Sequence, residues 1–139
     1  MSVRADFKEK VAKRFVDELP DGVKYVLPDF PTDAMKGEDE WVHLIIKHNT
    51  SDQKTHSAKG NRRFNRMGQI IIRIFTKPGQ GPNRADEIAE AVTNMFEGRA
   101  LEGFAITFTN TSPREAGLDN DNRYNVVISE TEFHYREIK

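Results

Sequence analysis

The stretch from Asn61 to Phe96 constrains this chain more than any other. A basic, aromatic-dotted arm (Asn61-Arg62-Arg63-Phe64-Asn65-Arg66) leads into the apolar run Gln69-Ile70-Ile71-Ile72-Arg73-Ile74-Phe75. A Pro/Gly turn follows, from Lys77 to Pro82, and a helical pattern begins at once. Ile88, Ala91, Val92, Met95 and Phe96 recur at i, i+3, i+4, i+7 and i+8, which is one apolar helix face. Asn83 is the expected N-cap, Asp86 and Glu87 suit the first turn, and Gly98 closes the helix. A strand, a tight turn and a one-faced helix demand further strands to bury them. The cationic arm has no use inside a single soluble domain and points to a partner surface.

The flanking segments supply those elements. Phe7, Val11, Phe15 and Leu19 recur every four residues, which predicts an amphipathic helix starting near Ser2 or Arg4 and stopped by Pro20 and Gly22. Val23 to Leu27 predicts a short strand, cut by Pro28 and Pro31, and residues 28–39 a polar loop. Glu40 to Lys47 alternates, with Val42, Leu44 and Ile46 on one face and Trp41, His43 and Ile45 on the other. The third strand spans about Arg66 to Thr76. Phe104, Ile106 and Phe108 alternate as a fourth strand. Arg123 to Ile138 forms a fifth, with a phase break expected near Ser129-Glu130. Residues 49–61 and 110–122 are polar enough to predict mobile loops.

The order α-β-β-β-α-β-β predicts one α+β domain over residues 1–139. In it two helices cover one face of a mainly antiparallel sheet of about five strands. The opposite face is expected to keep Trp41, Ile45, Ile71 and Phe75 at least partly uncovered. A chain of 139 residues is long enough for one real core. Zero cysteines exclude a disulfide scaffold and a thiolate zinc site. The longest apolar run, Ile70 to Ile72, is too short to cross a bilayer as a helix, and the first residues lack the apolar core of a signal peptide. No membrane contact is expected.

Net charge is −1, but its distribution is uneven. Residues 1–50 hold 8 bases and 10 acids (−2), residues 51–84 hold 8 bases against Asp52 alone (+7), and residues 85–139 hold 5 bases and 11 acids (−6). Such segregation fits ordinary solvated faces. It also fits a self-complementary molecule whose positive arm meets a negative surface on the next copy.

No catalytic constellation stands out. Gly79-Gln80-Gly81 precedes a helix but lacks the Gly-Lys-Ser/Thr ending of a phosphate loop. Asp119-Asn120-Asp121-Asn122 opens like a calcium loop, yet Arg123 and Tyr124 stand where Asp/Asn and Gly are needed. His43, His48, His56 and His134 show no ligand spacing, so no metal or cofactor is expected. Glu130 and Glu132 share a strand face and offer a bare carboxylate pair, with nothing nearby to split their pKa values. The 59–66 arm is the best nucleic-acid candidate, since cations with an interleaved aromatic suit backbone and stacking contacts. The acidic C-terminal part would repel a phosphate chain laid across it, which makes any DNA contact incidental.

In ordered combination, these segments resemble the tail terminator (minor tail, tail completion) proteins of long-tailed bacteriophages. The resemblance rests on the amphipathic N-terminal helix, Val23–Leu27 with its Pro-interrupted turn, and the Trp41-Val42 strand. It continues through the Arg66-Met67-Gly68-Gln69-Ile70 lead-in to Ile-Arg-Ile-Phe and the Pro-Gly-Gln-Gly turn with Ala85, Ile88 and Ala89. It ends on Arg123-Tyr124-Asn125-Val126-Val127-Ile128. The resemblance implies a non-enzymatic virion tail protein, assembled in the host cytoplasm. Its subunits would form a ring, six-fold in that family, that caps the tail tube, ends tube polymerisation and meets the head–tail connector. Its partners would be its own copies, the tube protein and the connector protein.

A head-to-tail ring needs two different, complementary patches on each subunit. The residues offer Arg62, Arg63 and Arg66 as one patch and Glu115, Asp119 and Asp121 as the other, with Trp41, Ile45, Ile71 and Phe75 as apolar contact area. A nucleic-acid-binding module using the basic arm, another small phage neck protein and a small hydrolase built on Glu130 and Glu132 stay open as alternatives.

Overall fold

The computed structural model describes residues 3–35, 37–53, 63–79, 82–96, 99, 101, 106–118 and 124–138. Helix α1 runs Val3–Glu18, strand β1 Lys24–Val26, a 3-10 turn Asp33–Met35, β2 Glu40–Gln53 and β3 Arg63–Thr76. Helix α2 then spans Pro82–Phe96, followed by β4 Ile106–Leu118 and β5 Asn125–Ile138. The sheet order is β1-β2-β3-β5-β4. β1 lies parallel to β2, and every other neighbouring pair is antiparallel. The fold is α+β, with a mixed sheet.

Both helices bury their apolar stripes in one cluster with a single sheet face. Phe7, Val11 and Phe15 from α1 and Ile88, Val92, Met95 and Phe96 from α2 meet Val42, Leu44 and Ile46 of β2 there. Ile70, Ile72 and Ile74 of β3 and Val127, Phe133 and Tyr135 of β5 complete it. The even positions of β2 up to His48, the even positions of β3 and the odd positions of β5 therefore face the helices, and a register shift between His48 and Thr50 inverts the alternation in the rest of β2. At the far ends of the helices, Arg14 donates to the Met95 carbonyl at 3.4 Å, and Arg99 pairs with Glu18. Helix α2 begins at Pro82, so Asn83 lies inside it rather than capping it; proline's fixed φ and missing N–H suit the first helical position.

Three expectations need correction. Residues 49–53 and 63–65 are strand rather than loop: Ser51 pairs with Arg66, Asp52 with Asn65 and Gln53 with Phe64. β5 continues alongside, so backbone hydrogen bonding sustains this ladder without an apolar pattern. Residues 54–62 lie outside the described residues. Residues 110–118 likewise belong to β4. Register shifts between Phe108 and Thr111 and between Glu115 and Gly117, together with Pro113, hide the strand from a periodicity reading.

The third correction concerns β5, which runs against β3 in unbroken register from Asn125 to Ile138. The apparent change of phase arises because the first end of β5 buries both faces, with Val127 on the helix side, whereas the rest buries the helix side alone. Tyr124 and Val126 are buried on one side, while Ser129, Thr131, Phe133 and Tyr135 are buried on the other. The irregularity sits in the neighbouring strand β4. Among the described residues no helix is long and apolar enough to cross a membrane.

Candidate functional site

The basic arm starts as the outgoing limb of the β2–β3 hairpin. Arg63 is the first residue of β3, opposite Ile138, whereas Arg62 lies outside the described residues. Arg66 is partly buried, and its Nε donates to Glu137 Oε2 at 2.8 Å across the β3–β5 pair. Its guanidinium also rests 4.9 Å from the centre of the Phe64 ring. Arg66 is thus engaged within its own sheet. Glu115 stands on β4 opposite Val127, while Asp119 and Asp121 lie outside the described residues.

Two cations missed by sequence reasoning join this end of the molecule. Arg4 and Lys8, one helical turn apart on α1, act electrostatically on His48 together with Arg66. Their i, i+4 spacing was the available signal. His48 is half-buried, and its Nε2 lies 2.9 Å from Tyr135 Oη. Phe7, Phe133 and Tyr135 surround its ring at 5.2 to 5.9 Å between centroids. Burial, then the three cations, lower its pKa from 6.5 to about 4. His48 is therefore neutral at pH 7. Burial and Glu137 push the Tyr135 hydroxyl up, so it stays protonated as well.

Gly68 makes this packing possible. It sits opposite His48 on one side and Phe133 on the other. A Cβ placed there would come 1.9 Å from the Lys47 carbonyl oxygen and 2.7 Å from the Phe133 ring. Only glycine permits that approach.

The sheet face away from the helices is less open than its sequence predicts. Trp41 and Ile71 are buried, while Ile45 and Phe75 are half-buried. Trp41 stacks on its cross-strand partner Phe75, with centroids 3.9 Å apart and planes within 4°. Tyr124 meets both rings edge-on at 6.0 Å. Val26 of the adjoining strand β1 and Met35 complete this second cluster, so the segment after β1 folds over the aromatic end of the sheet. The Tyr124 hydroxyl donates to the Glu38 carbonyl at 2.6 Å, with the Met35 carbonyl at 3.2 Å, which fastens that cover.

Chemistry beyond contact finds little support in this geometry. Glu130 is half-buried and Glu132 exposed on the same face of β5. Among the described residues no group of three or more His, Cys, Asp or Glu converges as a metal site. The turn before α2 places Gly79 at φ 93°, a tight connection that glycine favours.

Residues 3–130 match the family model described as phage tail terminator protein. The chain belongs to the phage tail terminator family. That membership gives it a structural role in the phage tail, a place in the virion tail, and contacts with other tail or head components. No curated protein matches the chain. A solved structure 14% identical in sequence superimposes with a TM-score of 0.62, covering 95% of this chain and 97% of its own. At that identity the likeness concerns the fold alone. This chain thus carries a long hairpin with cations gathered towards its turn end and an aromatic cluster on the sheet face away from the helices.

Proposed function

We propose that this terminator protein forms a ring, a hexamer, on the finished end of the phage tail tube. The ring ends tube polymerisation and offers the surface on which the head–tail connector docks, and it is built in the host cytoplasm before joining the virion. The family match over residues 3–130 carries this reading. Charge segregation along the sequence, +7 over residues 51–84 against −6 over residues 85–139, supports it, because a closed head-to-tail ring requires two unlike patches on each subunit.

Within that scheme, Arg62 and Arg63 on one side and Glu115, Asp119 and Asp121 on the other offer each subunit's unlike charged contacts to its neighbours. Arg66, held by Glu137, anchors the arm from within. Ile45 and Phe75, half-buried in the free chain, add apolar contact, with Trp41 and Ile71 behind them.

Electron microscopy and native mass measurement, alone and with purified tail tubes, test this reading. Annular particles that cap tubes and halt their growth are expected. A chain that neither closes into rings nor stops tube extension would overturn it, and salt-dependent retention of DNA by such a chain would favour nucleic-acid binding instead.

A further inference from the structure

We infer that the ring closes by strand addition, with β4 of one subunit pairing along the free edge of β2 in the next. This rests on the ring reading above and names the surface through which the copies join. β2 is 14 residues long, yet β1 pairs only with Trp41, Val42 and His43. Among the described residues, the outer edge of β2 from position 44 to 53 has no strand beside it. β4, 13 residues long, forms the opposite border of the sheet and, among the described residues, pairs with β5 alone. Two long open borders on one sheet are unusual, because unpaired backbone N–H and C=O groups invite a further strand.

Strand polarity selects the occupant. β2 and β5 run the same way, since each is antiparallel to β3, and β4 is antiparallel to β5. With a ring axis running along the strands, rotating one copy brings β4 antiparallel to the β2 of its neighbour, continuing the alternation with every helix layer on one side. Pairing of two β2 edges about a two-fold axis would instead close a dimer and leave β4 open.

The β2 border is also where apolar surface is left out. The large apolar side chains exposed among the described residues, Val16, Tyr25 and Phe30, all lie in α1, β1 and the segment after it. Phe30, 64% exposed, follows Asp29, which adopts a left-handed φ of 66°. Beside it, Ala12, Leu27, Phe30, His43 and Ile45 line an open groove of about 790 Å³ against the unpaired stretch of β2. Strand addition supplies main-chain hydrogen bonds, and such a groove receives side chains of the incoming strand. Pro113, lacking an N–H, contributes no donor to the seam.

Residue-resolved hydrogen exchange on the assembled particle tests this. Outward-facing amides of an open border exchange near the rate of an unstructured chain. In the ring, alternate amides within 44–53 and within β4 are expected to exchange at least about tenfold more slowly than that rate. Rings in which both borders exchange at the open rate, or in which β2 alone is protected, would overturn the seam while leaving the ring intact. Failure to form rings, alone or on tubes, would remove the ring reading and this seam with it.

Discussion

Arg84 holds Glu40 with both prongs of its guanidinium: Nε lies 2.7 Å from Oε2 and Nη2 lies 2.6 Å from Oε1. The pair joins the first turn of α2 to the first residue of β2, and Arg84 also reaches Glu87 at 3.3 Å. A two-pronged, charge-assisted contact fixes geometry as well as energy. The helix following the Pro/Gly turn is therefore clamped to the sheet where the second strand begins.

Replacing that arginine should loosen the clamp. Arg84→Met is expected to cost about 1–2 kcal/mol, because both partners retain some solvent access. Thermal unfolding should show a fall of roughly 3–8 °C for a chain of this size. Hydrogen bonding to Arg84 holds the Glu40 carboxyl below its usual value. Its contribution is therefore present above the ordinary carboxylate pKa and fades as pH falls through the lowered one. The gap between wild type and R84M should narrow in acid. An unchanged melting point would show that the clamp contributes nothing.

His48 gives a second, separable pH dependence. Its pKa of about 4 in the folded chain lies below the 6.5 of an unperturbed histidine. Between these values the unfolded chain binds a proton that the folded chain refuses. Stability thus falls as pH drops from about 6.5 towards 4, by at most about 2–3 kcal/mol. Arg4, Lys8 and Arg66 act on the ring through their charge, and the Tyr135 hydroxyl lies against it. H48Q keeps a hydrogen-bonding side chain opposite Tyr135 but does not titrate. Urea unfolding at about pH 7 and about pH 4.5 should show this slope in wild type and a flatter one in H48Q. Equal slopes would contradict the assignment.

Gly68→Ala tests the close approach of β2 and β5 over β3. A methyl group 1.9 Å from a backbone oxygen cannot be absorbed by side-chain motion alone, so the strands must separate. The expected loss is about 2–4 kcal/mol, at the upper end for overpacking. A stability within about 0.5 kcal/mol of wild type would mean that the strand packing is looser than described.

Much of this fold was legible because its core pattern is regular. Alternation in Val42, Leu44 and Ile46 and in Ile70, Ile72 and Ile74 gave two strand faces, and four-residue spacing of Phe7, Val11 and Phe15 gave α1. Periodicity fails where apolar residues stop alternating along the chain. Residues 49–53 and 110–118 are held as strands by backbone pairing along long borders, which leaves no apolar signature. The candidate surface was harder to read for a related reason. Sequence shows that Arg66 and Trp41 belong to a cationic arm and an aromatic face, but not that Glu137 and Tyr124 meet them from β5 and the residue before it. Such partners lie about 70 to 80 positions away, beyond the reach of local patterns.

That distinction yields the sharpest test of the basic arm. Arg66→Ala strips a partly buried Glu137 of its partner, so it should destabilise the fold by about 1–3 kcal/mol and impair assembly through that loss. R62E/R63E reverses the charges proposed to reach a neighbour. Its melting point should stay within about 2 °C of wild type while ring formation and tube capping fall at least about tenfold. High salt should weaken wild-type assembly in the same direction, because exposed ion pairs are screened. Native mass measurement beside a melting curve separates the two variants. Intact rings from R62E/R63E at moderate salt would take these arginines out of the subunit interface and leave the ring to be held by its strand borders and apolar contacts.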